Sequence, residues 1–223
     1  MTPQTPLASG RDADVFALDG DRVLRRNRDG RSPAAEAAVM AHVTGHGFPA
    51  PRVHAVDGAD LVMDRLHGPT LLGAMLTGGV DAAEAGRVTA GLQDRLHALP
   101  APGGGALLHL DLHPDNIVMT AAGPVLIDWT NAREGEADLD VAMTALILAQ
   151  VSLAGVFPPP VPALAAAGLD GFLAHTGGDP VRLLDGAVGL RAGDPNLAPQ
   201  EEAVLAGAAD RVRERAAAVP PAD

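Results

Sequence analysis

Residues 109–129 set the strongest local constraint in the chain. They run His109-Leu110-Asp111-Leu112-His113-Pro114-Asp115-Asn116, an apolar segment from Ile117 to Thr120, Ala121-Ala122-Gly123-Pro124, a second apolar segment from Val125 to Ile127, and then Asp128-Trp129. Two short apolar runs joined across a Gly-Pro turn predict an antiparallel hairpin. A hairpin brings its ends together, so Asn116, before the first strand, and Asp128, after the second, are expected side by side. An amide oxygen and a carboxylate there form a hard-oxygen pair suited to Mg2+, with phosphate oxygens completing the shell. Asp111 precedes Asn116 by five residues in a proline-containing loop, close enough to point into the same space. A carboxylate that does not ligate the metal can orient a hydroxyl nucleophile beside it and accept its proton.

Composition narrows the rest. With 223 residues, 47% hydrophobic and 20% charged, the chain can bury a real core as one domain or two small lobes and is not disordered. It has no cysteine, which excludes a disulfide framework and a thiolate zinc site. It also has no lysine, so its 16 basic residues are all arginine, set against 28 acids for a formal charge of −12. That balance argues against coating nucleic acid, whose phosphates need a positive surface. Residues 134–223 hold 5 arginines against 13 acids, so a cationic small molecule is the natural partner of the last third. Val141 to Phe157 is uncharged over 17 residues but ends at Pro158-Pro159-Pro160, and is expected as a buried helix rather than a membrane span. The opening Met-Thr-Pro-Gln-Thr-Pro-Leu has neither a basic start nor an apolar stretch, so a cytoplasmic protein without a signal peptide is expected.

The first sixty residues predict hairpins and one helix. Val15 to Leu18 and Val23 to Arg25 flank Asp19-Gly20-Asp21, and Val53 to Val56 and Leu61 to Met63 flank Asp57-Gly58. Between them Ser32-Pro33 predicts an N-cap with proline at the first helical position, and the helix ends near Thr44 before Gly45 and Gly47. After Gly68-Pro69 the pattern turns helical. Asp81 to Leu99 opens on a capping box of Asp81 and Glu84 and repeats Val88, Leu92, Leu96 and Leu99 at helical spacing. Helix C-terminal dipole stabilisation accounts for His97. From Asp138 onward the chain reads as mostly helix, closing with Pro199 to about Ala218.

H-x-D-x-x-x-x-N followed closely by an apolar strand and I-D-W resembles the aminoglycoside phosphotransferase and choline kinase family, whose fold is similar to that of protein kinases. The resemblance covers about residues 8–150. It implies an α+β, two-lobed kinase-like fold: a nucleotide-binding lobe over residues 1–66, with an antiparallel sheet and one helix, and a mainly helical catalytic and substrate lobe over 67–223. It implies ATP and Mg2+, Asp111 as catalytic base, and Asn116 and Asp128 as metal ligands. Gly10, in Ala8-Ser9-Gly10-Arg11-Asp12-Ala13-Asp14, falls in the phosphate-covering loop, which has one glycine only. Val23 and Arg25 share a strand face, so Val23 would pack on adenine while Arg25 reaches the phosphates from the position where the family usually has lysine. Glu36 resembles the ion-pair partner of that residue. Met63-Asp64-Arg65-Leu66 would form the hinge, with backbone groups of Asp64 and Leu66 meeting adenine. Asp140 resembles the aspartate that braces the catalytic loop, and a plain N-cap explains it equally; Trp129 would pack beneath the metal site.

The implied activity is transfer of the γ-phosphoryl group of ATP to a hydroxyl acceptor, a small molecule of cationic, aminoglycoside-like character. Two other readings compete. His109, Asp111 and His113 alternate, and on one strand face they would make a zinc site, although this leaves Asn116 and Asp128 unexplained. Arg25 and the glycine-poor loop also suit a non-catalytic nucleotide-binding pseudokinase module.

Overall fold

In the computed structural model, which describes residues 6–10 and 12–219, the N-terminal hairpins assemble into one antiparallel sheet. Its strands are β1 (Ala8–Ser9), β2 (Ala13–Ala17), β3 (Arg22–Asn27), β4 (Val53–Asp57) and β5 (Asp60–Asp64), in the spatial order β1-β2-β3-β5-β4. Asp19 closes the β2–β3 turn because its Oδ1 accepts from the N–H groups of Asp21 and Arg22 at 3.1 and 2.8 Å, an Asx turn. The residues read as lacking a leader at positions 1–5, and Arg11 of the candidate phosphate loop, lie outside the described residues.

Helix α1 (Ala34–Gly45) follows β3. It starts one residue later than expected: Pro33 is the cap, no side chain caps the helix, and Ala37 N–H donates to the Pro33 carbonyl at 2.9 Å. Ser32 is therefore not the N-cap. Proline supplies the fixed φ and leaves one fewer N–H to satisfy.

The second part holds α2 (Leu71–Leu76), α3 (Ala82–His97), α4 (Ala137–Leu153), α5 (Val161–Leu173), α6 (Leu184–Ala192), α7 (Pro199–Glu202) and α8 (Leu205–Ala218). Two small strand pairs interrupt it: β6 (Ala106–Leu108) with β9 (Arg133–Gly135), and the hairpin of β7 (Ile117–Thr120) and β8 (Gly123–Leu126). Asp81 caps α3 by accepting from Glu84 N–H at 2.8 Å, but the expected box is only half made. The Glu84 carboxylate turns to Arg87 instead, at 2.7 and 2.5 Å.

Helix α4 is the centre of the helical part. Every residue from Asp140 to Gln150 is buried, which explains a helix apolar on all sides. Among the described residues no helix is long and apolar enough to cross a membrane. A second core joins the two parts. Ala37, Met40 and Val43 of α1 pack with Leu71, Leu92, Leu96, Leu112, Ile117, Leu126 and Trp129, so α1 is held against the β7–β8 hairpin. That packing puts the side chains of the sheet next to those of the 109–129 segment.

Candidate active site

The β7–β8 register pairs Ile117 with Leu126, and Ile127 N–H extends the ladder to the Asn116 carbonyl at 2.9 Å. Asn116 and Asp128 consequently flank the open end of one hairpin. The Asn116 amide nitrogen is shared among the Asp111 carbonyl (2.9 Å), Asp111 Oδ2 (3.3 Å) and His113 Nε2 (3.2 Å). Its Oδ1 accepts from no group among the described residues. Asp128 has φ +63°, an uncommon conformation for a residue with a side chain. Its Oδ1 accepts from Thr130 Oγ1 at 2.9 Å, and Oδ2 has no donor among the described residues. Two oxygens of hard-ligand character are thus left uncommitted, a donor set that fits Mg2+ with phosphate oxygens.

Asp111 sits beside this pair in a backbone held from beneath. Asp140, fully buried at the start of α4, accepts from His109 N–H at 3.1 Å and Leu110 N–H at 2.6 Å. Leu110 has φ +61°. His109 is buried, donates Nε2–H to the Ile127 carbonyl at 3.0 Å, and meets the Trp129 ring edge-on at 5.1 Å between centroids. Burial lowers its pKa and keeps it neutral. Asp111 itself is pushed above the ordinary carboxylate range, first by burial and further by the charge of Asp128, while His113, His109 and Arg191 pull the other way. A carboxyl raised toward neutrality is a better proton acceptor at working pH than an ordinary one.

From the sheet side, Arg25 of β3 donates Nη1–H to Glu36 Oε1 at 2.7 Å and Nη2–H to Glu36 Oε2, a bidentate pair. The same Nη1 lies 4.0 Å from Asp128 Oδ1. Burial pushes the Glu36 carboxyl up, and Arg25 opposes that shift; Glu36 also accepts from the backbone N–H of Trp129. The Arg25 Nε–H is buried without an acceptor among the described residues. An orphaned cationic donor of this kind suits an anion at this place.

The remaining candidates are less tightly connected. Val23 is buried and pairs across the sheet with Met63. The Asp64 N–H is taken by the Arg52 carbonyl at 3.0 Å, and its carboxylate by Arg52 N–H and His54 Nε2. Leu66 N–H donates to nothing among the described residues. Gly10 closes the β1–β2 turn through its N–H to the Ala13 carbonyl at 2.9 Å, and its own carbonyl accepts from Arg28 at 2.8 Å. No hydrogen bond or ion pair among the described residues joins Gly10 to Arg25, Asp111, Asn116 or Asp128.

The zinc alternative fails on geometry. Residues 109–113 form no strand, Leu110 turns the backbone, and His109 spends Nε2 on a carbonyl in the core. No group of three or more His, Cys, Asp or Glu suited to a metal occurs among the described residues. Three contributors escaped the sequence. His97 ends α3, where the helix dipole alone would account for it, yet its Nε2 lies 2.9 Å from Asp140 Oδ2. Thr130 orients Asp128, and its position two residues on was the available signal. Arg191 is half-buried near Asp111, and nothing local in the sequence marks it.

The model described as "Phosphotransferase enzyme family" (APH) matches residues 3–106 and 74–184. Thiamine kinases of Salmonella paratyphi B (strain ATCC BAA-1250 / SPB7) and Salmonella newport (strain SL254) are each 54% identical over 37 residues, 17% of this chain. The match spans only 14% of the length of those relatives. Among solved structures, a choline/ethanolamine kinase family protein from Mesorhizobium loti superposes with TM-score 0.56 at 17% identity, covering 96% of this chain and 87% of that one. Amicoumacin kinase in complex with AMP-PNP, Ca2+ and Ami gives 0.54 at 13% identity, covering 97% and 89%. At these identities the likeness concerns the fold.

Proposed function

The chain belongs to the phosphotransferase enzyme family, and on that premise we propose that it transfers the γ-phosphoryl group of ATP to a hydroxyl of a small molecule. The observation that carries this reading is the convergence of Asp111, Asn116, Asp128 and the Arg25–Glu36 pair on one hairpin end. Asn116 Oδ1 and the Asp128 carboxylate would hold Mg2+, which when bound neutralises charge on the transferring phosphates. Asp111, fixed by the Asn116 amide, orients the acceptor hydroxyl and takes its proton as oxygen bonds to phosphorus and ADP leaves. Arg25, steadied by Glu36, meets the phosphates. Val23 and Met63 pack on adenine, the Asp64 carbonyl and Leu66 N–H face its edge, and the loop at Gly10 covers the phosphates. Residues 1–66 act as the nucleotide lobe and 67–223 as the catalytic and acceptor lobe.

The acceptor is a cationic alcohol. Its sign follows from the acid excess of residues 134–223, and the matched stretch of thiamine kinase and the amicoumacin kinase fold point to the same class of small-molecule kinases. The test is a thermal-shift screen of nucleotides with and without Mg2+, followed by turnover on a panel of cationic and neutral alcohols. Mg-dependent stabilisation by ATP and phosphorylation of a cationic member are expected. Nucleotide binding without transfer to any alcohol would favour the pseudokinase reading instead.

A further inference from the structure

The segment between α6 and α7 is a built turn rather than a slack connection. Asp194-Pro195-Asn196-Leu197 closes through Leu197 N–H to the Asp194 carbonyl at 3.1 Å, and Asp194 Oδ1 accepts from Asn196 N–H at 2.9 Å. Proline at the second position pre-sets the backbone, so the turn holds its shape at little entropic cost. Both feet are anchored. Asp194 Oδ2 accepts from Arg191 Nη1 at 3.3 Å, and Arg191 Nε donates to Oε1 of the fully buried Gln150 at 3.1 Å. On the far side the buried Glu201 accepts from Ala198 N–H at 3.2 Å, while the Gln150 amide donates to the Glu201 carbonyl at 2.9 Å. Leu197 packs against the core of the helical part. The tip of this turn reaches the sheet: Asn196 Nδ2 lies 3.3 Å from both Oδ1 and Oδ2 of Asp12, 184 positions earlier in the chain. Asp12 lies in the loop joining β1 to β2, and its carbonyl accepts from Arg28 N–H at 2.9 Å.

We infer that Asn196 is a positioning residue for the nucleotide: from the α6–α7 turn it grips Asp12 and so holds the phosphate-covering loop down across the mouth of the cleft. Asp12 and Asn196 are both exposed, and an exposed loop opens readily unless something outside it ties it down. A carboxylate accepting from an amide is a charge-assisted bond, stronger than a neutral one of the same length. The turn is pinned through Arg191 to Gln150 in the core, so the tie belongs to the helical part and not to the sheet that carries the loop. Arg191 is also among the charges acting on Asp111, which places the foot of the turn on the acceptor side of the cleft. The cleft is thus joined at its back by the Arg25–Glu36 pair beside Asp128 and at its front by Asp12 and Asn196. Nucleotide leaves when the front contact breaks, as with other loops that close over a bound substrate. This inference rests on the reading of the cleft as a nucleotide site.

The two side chains can exchange roles, which gives the test its control. Asn196→Asp sets two carboxylates against each other and removes the tie, while aspartate still suits the turn. Asp12→Asn combined with Asn196→Asp restores one amide and one carboxylate in reverse order. The experiment follows release of a fluorescent ATP analogue with Mg2+, chased by excess ATP, from the parent chain and the two variants. It also reads hydrogen exchange of the Arg28 amide, which donates to the Asp12 carbonyl. Asn196→Asp is expected to release the analogue about 5- to 20-fold faster and to exchange the Arg28 amide faster. The double variant is expected within about three-fold of the parent on both readouts, a restoration that a merely structural effect of position 196 would not produce. Release from Asn196→Asp at the parent rate, or equally fast release from the single and double variants, would overturn the inference. If the parent binds no nucleotide, the functional reading fails and the Arg28 amide judges the tie: faster exchange that the double variant reverses supports it, and equal exchange in all three overturns it.

Discussion

Arg25 holds Glu36 with two N–H groups and brings Nη1 within 4.0 Å of Asp128 Oδ1, so one guanidinium connects the sheet, α1 and the hairpin that carries the metal-ligand candidates. The position is where the resembled family uses lysine. Lysine offers a single compact charge, whereas arginine offers a planar fork that can serve a carboxylate and a second group together. The absence of lysine throughout the chain therefore leaves this junction chemically intact.

Arg25→Ala should raise the Kd for Mg-ATP about 10- to 100-fold, as expected for losing charge-assisted hydrogen bonds worth about 1.5–3 kcal/mol. Arg25→Lys should fall between the two, because one ammonium cannot hold both Glu36 oxygens and the phosphates. Titration calorimetry checks both variants; affinity of the alanine variant equal to the parent would remove Arg25 from the nucleotide site.

Helices α3 and α5 cross at backbone contact. A Cβ on Gly86 would lie 2.6 Å from the carbonyl carbon of Gly171, and closer still to the Gly168 carbonyl oxygen and the Phe172 nitrogen. Gly86→Ala should destabilise by about 1–3 kcal/mol or more, since rigid backbone rather than a flexible side chain must move. Gly91, on the exposed side of the same helix, has nothing within 4 Å of such a Cβ. Gly91→Ala should stabilise by about 0.5–1 kcal/mol through helix propensity. Urea unfolding of the two variants should give shifts of opposite sign.

Much of this architecture could be read from local pattern. The sheet hairpins follow from apolar alternation around Asp-Gly turns, and α4 from an uncharged run too long for a strand. The Asp111, Asn116 and Asp128 cluster was visible because one hairpin brings all three together within twenty residues. What stayed hidden depends on distant partners. β6 and β9 are three residues each and pair only because the fold brings Leu107 opposite Glu134. The Ser32 cap and the full Asp81–Glu84 box were expected from residue type, yet Pro33 and Arg87 took over those roles through geometry that type does not encode. His97 and Asp140 are likewise far apart in sequence, so helix-end chemistry was the only local explanation for the histidine. The hinge and phosphate-loop assignments came from family likeness, because backbone groups leave no side-chain signature.

Acid sensitivity should trace in part to Asp138. Burial alone would raise its pKa, but the Arg182 side chain and the Asp179 N–H more than offset that, so the folded value lies below the ordinary one. A depressed carboxyl contributes stability above its unfolded pKa, near 3.9, and loses it as pH falls through the folded value. Asp138→Asn should therefore be less stable than the parent at pH 7, with the difference shrinking as pH falls below the unfolded value. Unfolding curves across that range check the sign; a gap that widens in acid would contradict it.

Asp128→Ala should weaken ATP binding only when Mg2+ is present, because the role proposed for this carboxylate is to hold the metal rather than to contact the nucleotide. Calorimetry with Mg2+ and with EDTA separates the cases. Loss of binding in EDTA as well would mean that the φ +63° turn at Asp128 matters for the shape of the site instead.

The central claim is tested most directly by following labelled γ-phosphoryl from ATP to an alcohol acceptor with the parent and with Asp111→Asn, each at saturating Mg-ATP. The asparagine keeps the shape and cannot accept the proton. The account predicts a fall of about 100- to 10,000-fold in transfer, with Mg-ATP affinity within about three-fold of the parent. Transfer by Asp111→Asn at the parent rate would contradict it.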